Sequence, residues 1–169
     1  MRIRLATQED LPALMVLVRR VVPLMLAVGN LQWDEHYPNE SVFQQDLALS
    51  QLWIAEAESS VAGVAALTMD QEPEYAQADW DMAAKALVVH RLAVDPAFRG
   101  AGVASALMQK AEELALEQGS SVVRVDTKTE NTATRRLFPK LGYRLAGEIE
   151  LSARPGLRFL CYEKHLRSK

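Results

Sequence analysis

Arg99-Gly100-Ala101-Gly102-Val103-Ala104 sets two glycines one residue apart behind an arginine, after the apolar run Leu87-Val88-Val89 and before a helical pattern. Gly100 and Gly102 can take positive φ angles, which turns main-chain N–H groups toward one point. A helix beginning near Gly102 adds the unpaired N–H groups of its first turn and the positive end of its dipole. Arg99 adds a full charge beside them, so an anion, and a pyrophosphate in particular, suits this place. Glycine spacing alone fits a plain strand-to-helix turn equally well, and the flanking residues have to decide.

Three side chains near this stretch have the chemistry of proton transfer: His90 on the strand that precedes the glycines, Glu72 in a long acidic loop, and Asp126 at the end of the next strand. Each also has a structural reading. His90 can be a hydrogen-bonded interior histidine, Glu72 a solvated carboxylate, and Asp126 a cap for the following turn or a partner of Asn131. Trp33, Tyr37, Tyr75 and Trp80 lie in segments of no regular period, where large aromatics either line a pocket or anchor the loop.

Two nucleotide-site patterns compete for the glycines. A P-loop needs Gly-Lys-Ser/Thr, and Gly102-Val103-Ala104 excludes it. A dinucleotide fingerprint fits better, with Gly100-x-Gly102-x-x-Ser105 and Asp126 placed for a ribose contact. Against it stand the serine in the third glycine's place, the loop Asp95 to Phe98 between strand and glycines, and too little remaining chain for a doubly wound sheet.

The elements that must position these residues can be read in order. Arg2 to Ala6 alternates as a strand, and Thr7 or Asp10 caps a helix with Leu11, Leu14, Met15, Val18 and Val22 on its apolar face. Pro23 is expected to interrupt that helix and leave 24–30 as a second piece or loop. Leu31 to Pro38 is a loop; Ser41 then caps a helix from Val42 to about Ser50, with Val42, Gln45-Asp46 and Leu49 on a narrow face. Strands at 52–57 and 61–69 form a hairpin around Glu58-Ser59-Ser60, and the acidic segment 70–84 delays entry to the His90 strand. After the glycines, Val103, Leu107, Ala111, Leu114 and Ala115 form a helical stripe ending at Gly119. Val122, Val123 and Val125 build a strand, a short helix from Glu130-Asn131 presents Leu137 and Leu141, and strands at 143–150 and 157–164 close the chain around Pro155-Gly156.

A chain of 169 residues, 49% of them hydrophobic, suits one domain, 1–169, with its own core. A net charge of −3 gives no nucleic-acid or anionic-membrane surface, and the apolar runs at 11–18 and 21–28, split by Arg19-Arg20, are each too short to span a bilayer. The single cysteine, Cys161, excludes an internal disulfide, sits in an apolar strand as core, and together with the absence of an apolar leader predicts a cytoplasmic protein.

The glycine segment matches the Arg/Gln-x-x-Gly-x-Gly/Ala signature of the GNAT superfamily of N-acetyltransferases, and Leu92-Ala93-Val94-Asp95-Pro96 resembles the strand before it. Asn131, Leu137, Gly142 and Tyr143 resemble a second motif of that family. The segments Gln32-Trp33, Tyr37-Pro38, Glu72-Pro73-Glu74-Tyr75, His90 to Val94 and Arg124 to Thr127 look like those of a bacterial subgroup of undefined substrate. The resemblance implies an α/β (α+β) fold of GNAT type: a central, mixed, mostly antiparallel sheet of about seven strands with helices on both faces. It implies acetyl-CoA as donor and no metal. Leu92, Ala93 and Val94 would pair with its pantetheine arm, Arg99 to Ala104 (Gly100, Ala101, Gly102 and Val103 included) would hold its pyrophosphate, and Asn131 and Phe138 would flank it. Trp33, Tyr37 and Tyr75 would meet a small-molecule or peptide amine. A homodimer fits the family, and the sequence leaves oligomeric state open.

Thr134 and Phe138 depart from the family pattern, and Phe138 is the weighty change. It stands where many members carry a tyrosine that protonates the departing thiolate, and phenylalanine has no proton to give. Direct acetyl transfer needs a neutral amine: a lysine-like amine of pKa about 10.4 is rarely neutral near pH 7, whereas an α-amine of about 7.7 to 8 often is. His90, Glu72 and Asp126 are the base candidates, and Tyr75 or Tyr37 can stand in as acid. A thiol of pKa about 8.5 also leaves with modest help from water or a backbone donor. The sequence therefore predicts an N-acetyltransferase, with an acyl-CoA-binding or regulatory module of weak turnover as the alternative.

Overall fold

The computed structural model describes residues 1–167; Ser168 and Lys169, the end of the expected domain and of its charged tail, lie outside the described residues. Seven strands form one sheet: β1 (Arg2–Leu5), β2 (Leu52–Ala57), β3 (Ser60–Thr68), β4 (Leu87–Val94), β5 (Val122–Lys128), β6 (Arg144–Glu150) and β7 (Arg158–His165). Their order is β1-β2-β3-β4-β5-β7-β6, with β4 and β5 parallel and every other neighbouring pair antiparallel. This is the mixed, mostly antiparallel sheet that was expected, and it excludes the doubly wound parallel sheet of a dinucleotide fold.

Four helices cover both faces: α1 (Leu11–Ala27), α2 (Glu40–Ala48), α3 (Val103–Glu117) and α4 (Thr132–Lys140). Strand β3 is apolar from Val61 to Leu67 because both faces of its middle are buried. Ala65 and Leu67 join Val103, Leu107, Met108 and Ala111 of α3, while Val64 and Ala66 join Leu14, Leu17 and Val18 of α1. A third cluster, with Tyr75, Val88, Phe159 and Cys161, lies under the 70–84 segment. Among the described residues, no helix is long and apolar enough to cross a membrane.

Some local expectations need correction. The first helix runs unbroken through Pro23. That proline is exposed, so the carbonyl left without an N–H partner faces water rather than the core. The second helix begins at Glu40 with Asn39, not Ser41, as its cap: Asn39 Oδ1 accepts from the Val42 N–H at 3.1 Å. Phe43 and Asp46 are its buried residues, and Leu49 is exposed. On α3, Met108 is buried where Leu114 is only partly so, and on α4 Phe138 is buried while Leu137 and Leu141 pack at the edge.

Candidate functional site

Strands β4 and β5 pair at only three positions, Leu87 with Val123, Val88 with Arg124 and Val89 with Val125. Beyond them both strands continue without pairing to each other. On its other edge β4 carries a bulge: Val64 pairs with Ala93 and Ala66 with His90, so Arg91 and Leu92 together oppose Ala65. Bulges bend a strand, and this one turns β4 away from β5. Arg91 takes φ +53° there, a conformation that costs a non-glycine residue about 1 kcal/mol or more. A buried ion pair holds it. Its guanidinium donates to both carboxylate oxygens of Asp46 on α2, at 2.6 and 2.7 Å, and to the Tyr37 hydroxyl at 3.3 Å.

A cavity of about 1180 Å³ opens where the strands part. His90, Leu92, Ala93 and Val94 line it from β4, Arg99, Gly100, Gly102, Val103 and Ala104 from the head of α3, Asp126 from β5, and Asn131 and Phe138 from α4. Trp33, Tyr37 and Glu72 complete the wall from loops. Two of the expected residues stand aside. Ala101 is exposed outside the cavity and its N–H donates to the Phe98 carbonyl at 3.2 Å, so that N–H is not free for a phosphate. Tyr75 is wholly buried behind the wall rather than on it, which places it out of reach of a substrate.

At the head of α3 the glycine chemistry takes physical form. Gly100 and Gly102 both have φ +79°, and a Cβ on either would meet nothing within 4 Å, so conformation rather than crowding calls for glycine. The N–H groups of Gly100, Gly102, Val103, Ala104 and Ser105 donate to no acceptor among the described residues. Arg99 is exposed beside them. Asp95 anchors the loop that leads here, accepting from the Ala97 N–H and from Arg20 of α1, each at 2.9 Å. Gly63 matters for a different reason. A Cβ there would lie 2.6 Å from Val103 Cγ1 and 3.0 Å from the Ala93 carbonyl, so the first turn of α3 is drawn onto the sheet where the glycine leaves room.

The titratable groups differ sharply in character. Asp126 is half-buried at the cavity wall, and its Oδ2 accepts from the Tyr75 hydroxyl at 2.5 Å. Burial raises its carboxyl pKa to about 6, a rise opposed by the Tyr75 hydrogen bond and reinforced by the Glu72 charge. Burial, with the Asp126 charge, pushes the Tyr75 phenol well above its ordinary value, so it stays protonated and donates. His90 goes the other way, lowered to about 4 by burial and by the Arg91 charge, and is neutral at pH 7. Glu72 is exposed on the wall, and Cys161 is buried with its thiol pushed up by burial.

Around them, Trp33 is packed under α1, and Tyr37 carries the Arg154 guanidinium 5.2 Å from its ring centre. Arg154 in turn donates to Asp34 at 2.7 Å, joining two loops. Phe138 is buried with its ring 5.3 Å from Tyr162 and 6.1 Å from Tyr143. Asn131 caps α4, its side-chain oxygen accepting from the Thr134 N–H at 3.3 Å. Sequence reading missed Arg91, Arg154 and the direct bond between Tyr75 and Asp126. The one signal present was the placing of Tyr75 in an irregular loop and Asp126 at an expected strand end, although β5 runs on to Lys128 with Asp126 paired to Cys161. Among the described residues, no three His, Cys, Asp or Glu side chains group as metal ligands.

Residues 23–143 match the family model described as Acetyltransferase (GNAT) family. The chain is 34% identical over 97 residues to human N-acetyltransferase 8B, a stretch that covers 57% of this chain and 39% of that protein. The chain therefore spans about two fifths of the length of that curated relative. Among solved structures, the acetyltransferase of the GNAT family from Streptococcus agalactiae is 26% identical with a TM-score of 0.85, covering 99% of this chain and 96% of that one. The fold is also shared, at 18% identity and a TM-score of 0.71, with yncA from Salmonella typhimurium, solved with its cofactor acetyl-CoA; 100% of this chain and 95% of that chain are covered.

Proposed function

The chain belongs to the acetyltransferase (GNAT) family, and on that premise we propose that residues 1–169 form one domain that moves an acetyl group from acetyl-CoA to a primary amine by direct attack. One observation carries the reading: a single cavity joins the open edges of β4 and β5, the free N–H groups at the head of α3, and Asp126.

Acetyl-CoA supplies the acetyl group as an activated thioester. The edge of Leu92, Ala93 and Val94 left unpaired by β5 offers hydrogen-bonding backbone to an extended arm. Gly100, Gly102, Val103 and Ala104, with Arg99, hold the pyrophosphate, while Ala101 contributes only the shape of the turn. Asn131 and Phe138 flank the arm from α4. Holding amine and thioester together removes much of the entropic barrier.

Asp126 is the general base. With a pKa of about 6 it is ionised at pH 7, and it takes a proton more readily than an ordinary carboxylate. It accepts the proton that the amine nitrogen loses as the new C–N bond forms and the C–S bond breaks. His90, neutral but with a pKa of about 4, is the weaker base. Phe138 has no proton to give, and solvent supplies the one that the departing sulfur takes up, as its low basicity permits. Glu72 and Glu74 line the acceptor end, where Arg91 and Arg154 already face Asp46 and Asp34. That balance suits a cationic small-molecule or peptide amine held against Trp33 and Tyr37.

The second reading, binding of acyl-CoA with weak turnover, is favoured by one residue, Phe138. Purified protein given acetyl-CoA and a panel of small amines, polyamines and peptides should release coenzyme A thiol in proportion to a preferred amine. Asp126→Asn should reduce that rate by about a hundredfold or more. Binding without thiol release for any amine would leave the binding module, and stabilisation by NAD rather than acetyl-CoA in a thermal-shift comparison would overturn both.

A further inference from the structure

Arg124 lies on β5 two residues before Asp126, on the same face of the strand, and no part of its side chain reaches solvent. Its Nε and Nη2 donate to Glu163 Oε2 of β7 at 3.0 and 2.9 Å, and Glu163 is held in turn by Arg144 at 2.9 Å and His165 at 3.0 Å. The remaining donors leave the sheet. Nη1 donates to the Gln71 side chain, Nη2 to the Asp81 carbonyl at 2.8 Å, and the guanidinium sits 4.5 Å from the Trp80 ring centre. One planar fork thus grips both ends of the 70–84 segment.

Between those grips the segment leads back to the site. The Trp80 indole N–H donates to the Tyr75 carbonyl at 2.6 Å, the two rings stand 4.9 Å apart, and the Tyr75 hydroxyl reaches Asp126. The path leaves β5 at Arg124 and returns to it at Asp126. A buried ion pair gives little stability over apolar packing of the same shape, whereas the rigid guanidinium fork fixes geometry. The 70–84 segment has one short 3-10 turn, Pro73–Gln77; Tyr75 and Ala78 pack with Val88, Phe159 and Cys161, and the Asp79 N–H donates to the Ala146 carbonyl at 2.7 Å, while its two ends are tied by Arg124. The grip on β5 adds to that packing by fixing the two ends of the segment on either side of Tyr75.

We infer that Arg124 is a positioning residue for Asp126, acting through the 70–84 segment to fix the Tyr75 hydroxyl against the carboxylate. The inference rests on the reading of Asp126 as general base, and its test separates the two. Facing Asp126 are Tyr75 and Glu72 from the segment and Cys161, its partner on β7.

Two variants cut the grip. Gln71→Leu removes one tie and leaves the Arg124 and Glu163 pair whole; Arg124→Met with Glu163→Leu removes both charges, so neither is stranded. Amide exchange across 70–84, the titration of the Asp126 carboxyl followed by NMR, and steady-state kinetics are read on each folded variant. Exchange should quicken by about tenfold or more, and Asp126 should titrate lower, toward an ordinary carboxylate, because the hydration it gains outweighs the Tyr75 hydrogen bond it loses. The kcat with amine should fall by about tenfold while KM for acetyl-CoA stays within about twofold. Arg124→Lys keeps the charge without the fork and should not restore kcat. Unchanged exchange, titration and kcat in folded Gln71→Leu and in the double variant would overturn the inference. If Asp126→Asn keeps full activity, the base assignment fails, while the Asp126 titration in these variants still reports whether Arg124 positions it.

Discussion

Replacing Asp126 with asparagine should stabilise the protein at neutral pH relative to the wild type while doing little in mild acid. The carboxyl has an ordinary pKa of 3.8 in the unfolded chain and about 6 in the folded one. The folded state therefore binds this proton more tightly, its contribution is full below the unfolded value, and stability is lost as pH rises through about 6. At about 1.4 kcal/mol per pH unit that displacement corresponds to roughly 3 kcal/mol. The edge of Asp126 that meets the cavity keeps some solvent, which brings the expected gain nearer to about 2 kcal/mol. Asparagine retains an oxygen to accept from Tyr75, so the hydrogen bond survives. Urea unfolding of both proteins at about pH 4.5 and about pH 8 measures the difference. His90 titrates in both and cancels in the comparison. The stability gap should widen in favour of the variant by about 1 kcal/mol between the two conditions, because roughly a third of the loss is already incurred at pH 4.5. A gap that stays constant, or an asparagine variant that loses stability most at the higher pH, would refute the account of Asp126 as a carboxylate held half-buried at a cost. The same substitution should abolish most turnover, so stability and activity move in opposite directions at one residue.

Other expectations follow from the same geometry. Gly102→Val forces a β-branched residue to φ +79° with no clash, so the fold should survive at a cost of about 1 to 2 kcal/mol while acetyl-CoA affinity, measured by calorimetry, drops at least about tenfold; unchanged affinity would sink the phosphate cradle. Asp46→Ala strands the Arg91 guanidinium in the interior and should lower unfolding free energy by about 3 kcal/mol or more. His90→Asn addresses a ring whose pKa falls from 6.5 to about 4 on folding. Wild-type stability from this group is present above about pH 6.5 and lost as pH falls through about 4, so the variant should lack that acid-side decline, seen as a flatter melting temperature against pH. The acid limb of its kcat/KM profile should remain near the Asp126 value, because His90 stays neutral throughout that range.

What could be read from the residues in advance was whatever depends on neighbours in the chain. Apolar runs marked β2 and β3 as a hairpin and a helical stripe marked α3 as one-sided, and the positive φ of Gly100 and Gly102 followed from their type. Pro23 misled because its penalty depends on whether the orphaned carbonyl meets water, which only the packing of α1 decides. Asn39 and Ser41 are both good caps, and burial of Phe43 selected the register that begins at Glu40. The site's electrostatics were out of reach for a different reason. Tyr75 and Asp126 are 51 positions apart, and Arg124 and Glu163 are 39 apart; the second pair exists only because the sheet order sets β7 beside β5, and the first because the 70–84 segment packs over that part of the sheet. Arg91 has no local signal either, since a left-handed arginine is tolerable only where an Asp46 waits for it.

The three paired positions between β4 and β5 have a mechanical meaning. Strands β1 to β4 are an antiparallel sheet, and so are β5, β7 and β6; the molecule is two half-sheets stitched at Leu87 to Val89, with α3 bridging the seam. A donor arm laid along the open edges would act as a detachable strand and finish the stitching. Ligand at about a hundred times its dissociation constant adds about 2.7 kcal/mol to the folded state. On that reading the resistance of the protein to unfolding, and with it its lifetime, rises and falls with the supply of its own donor.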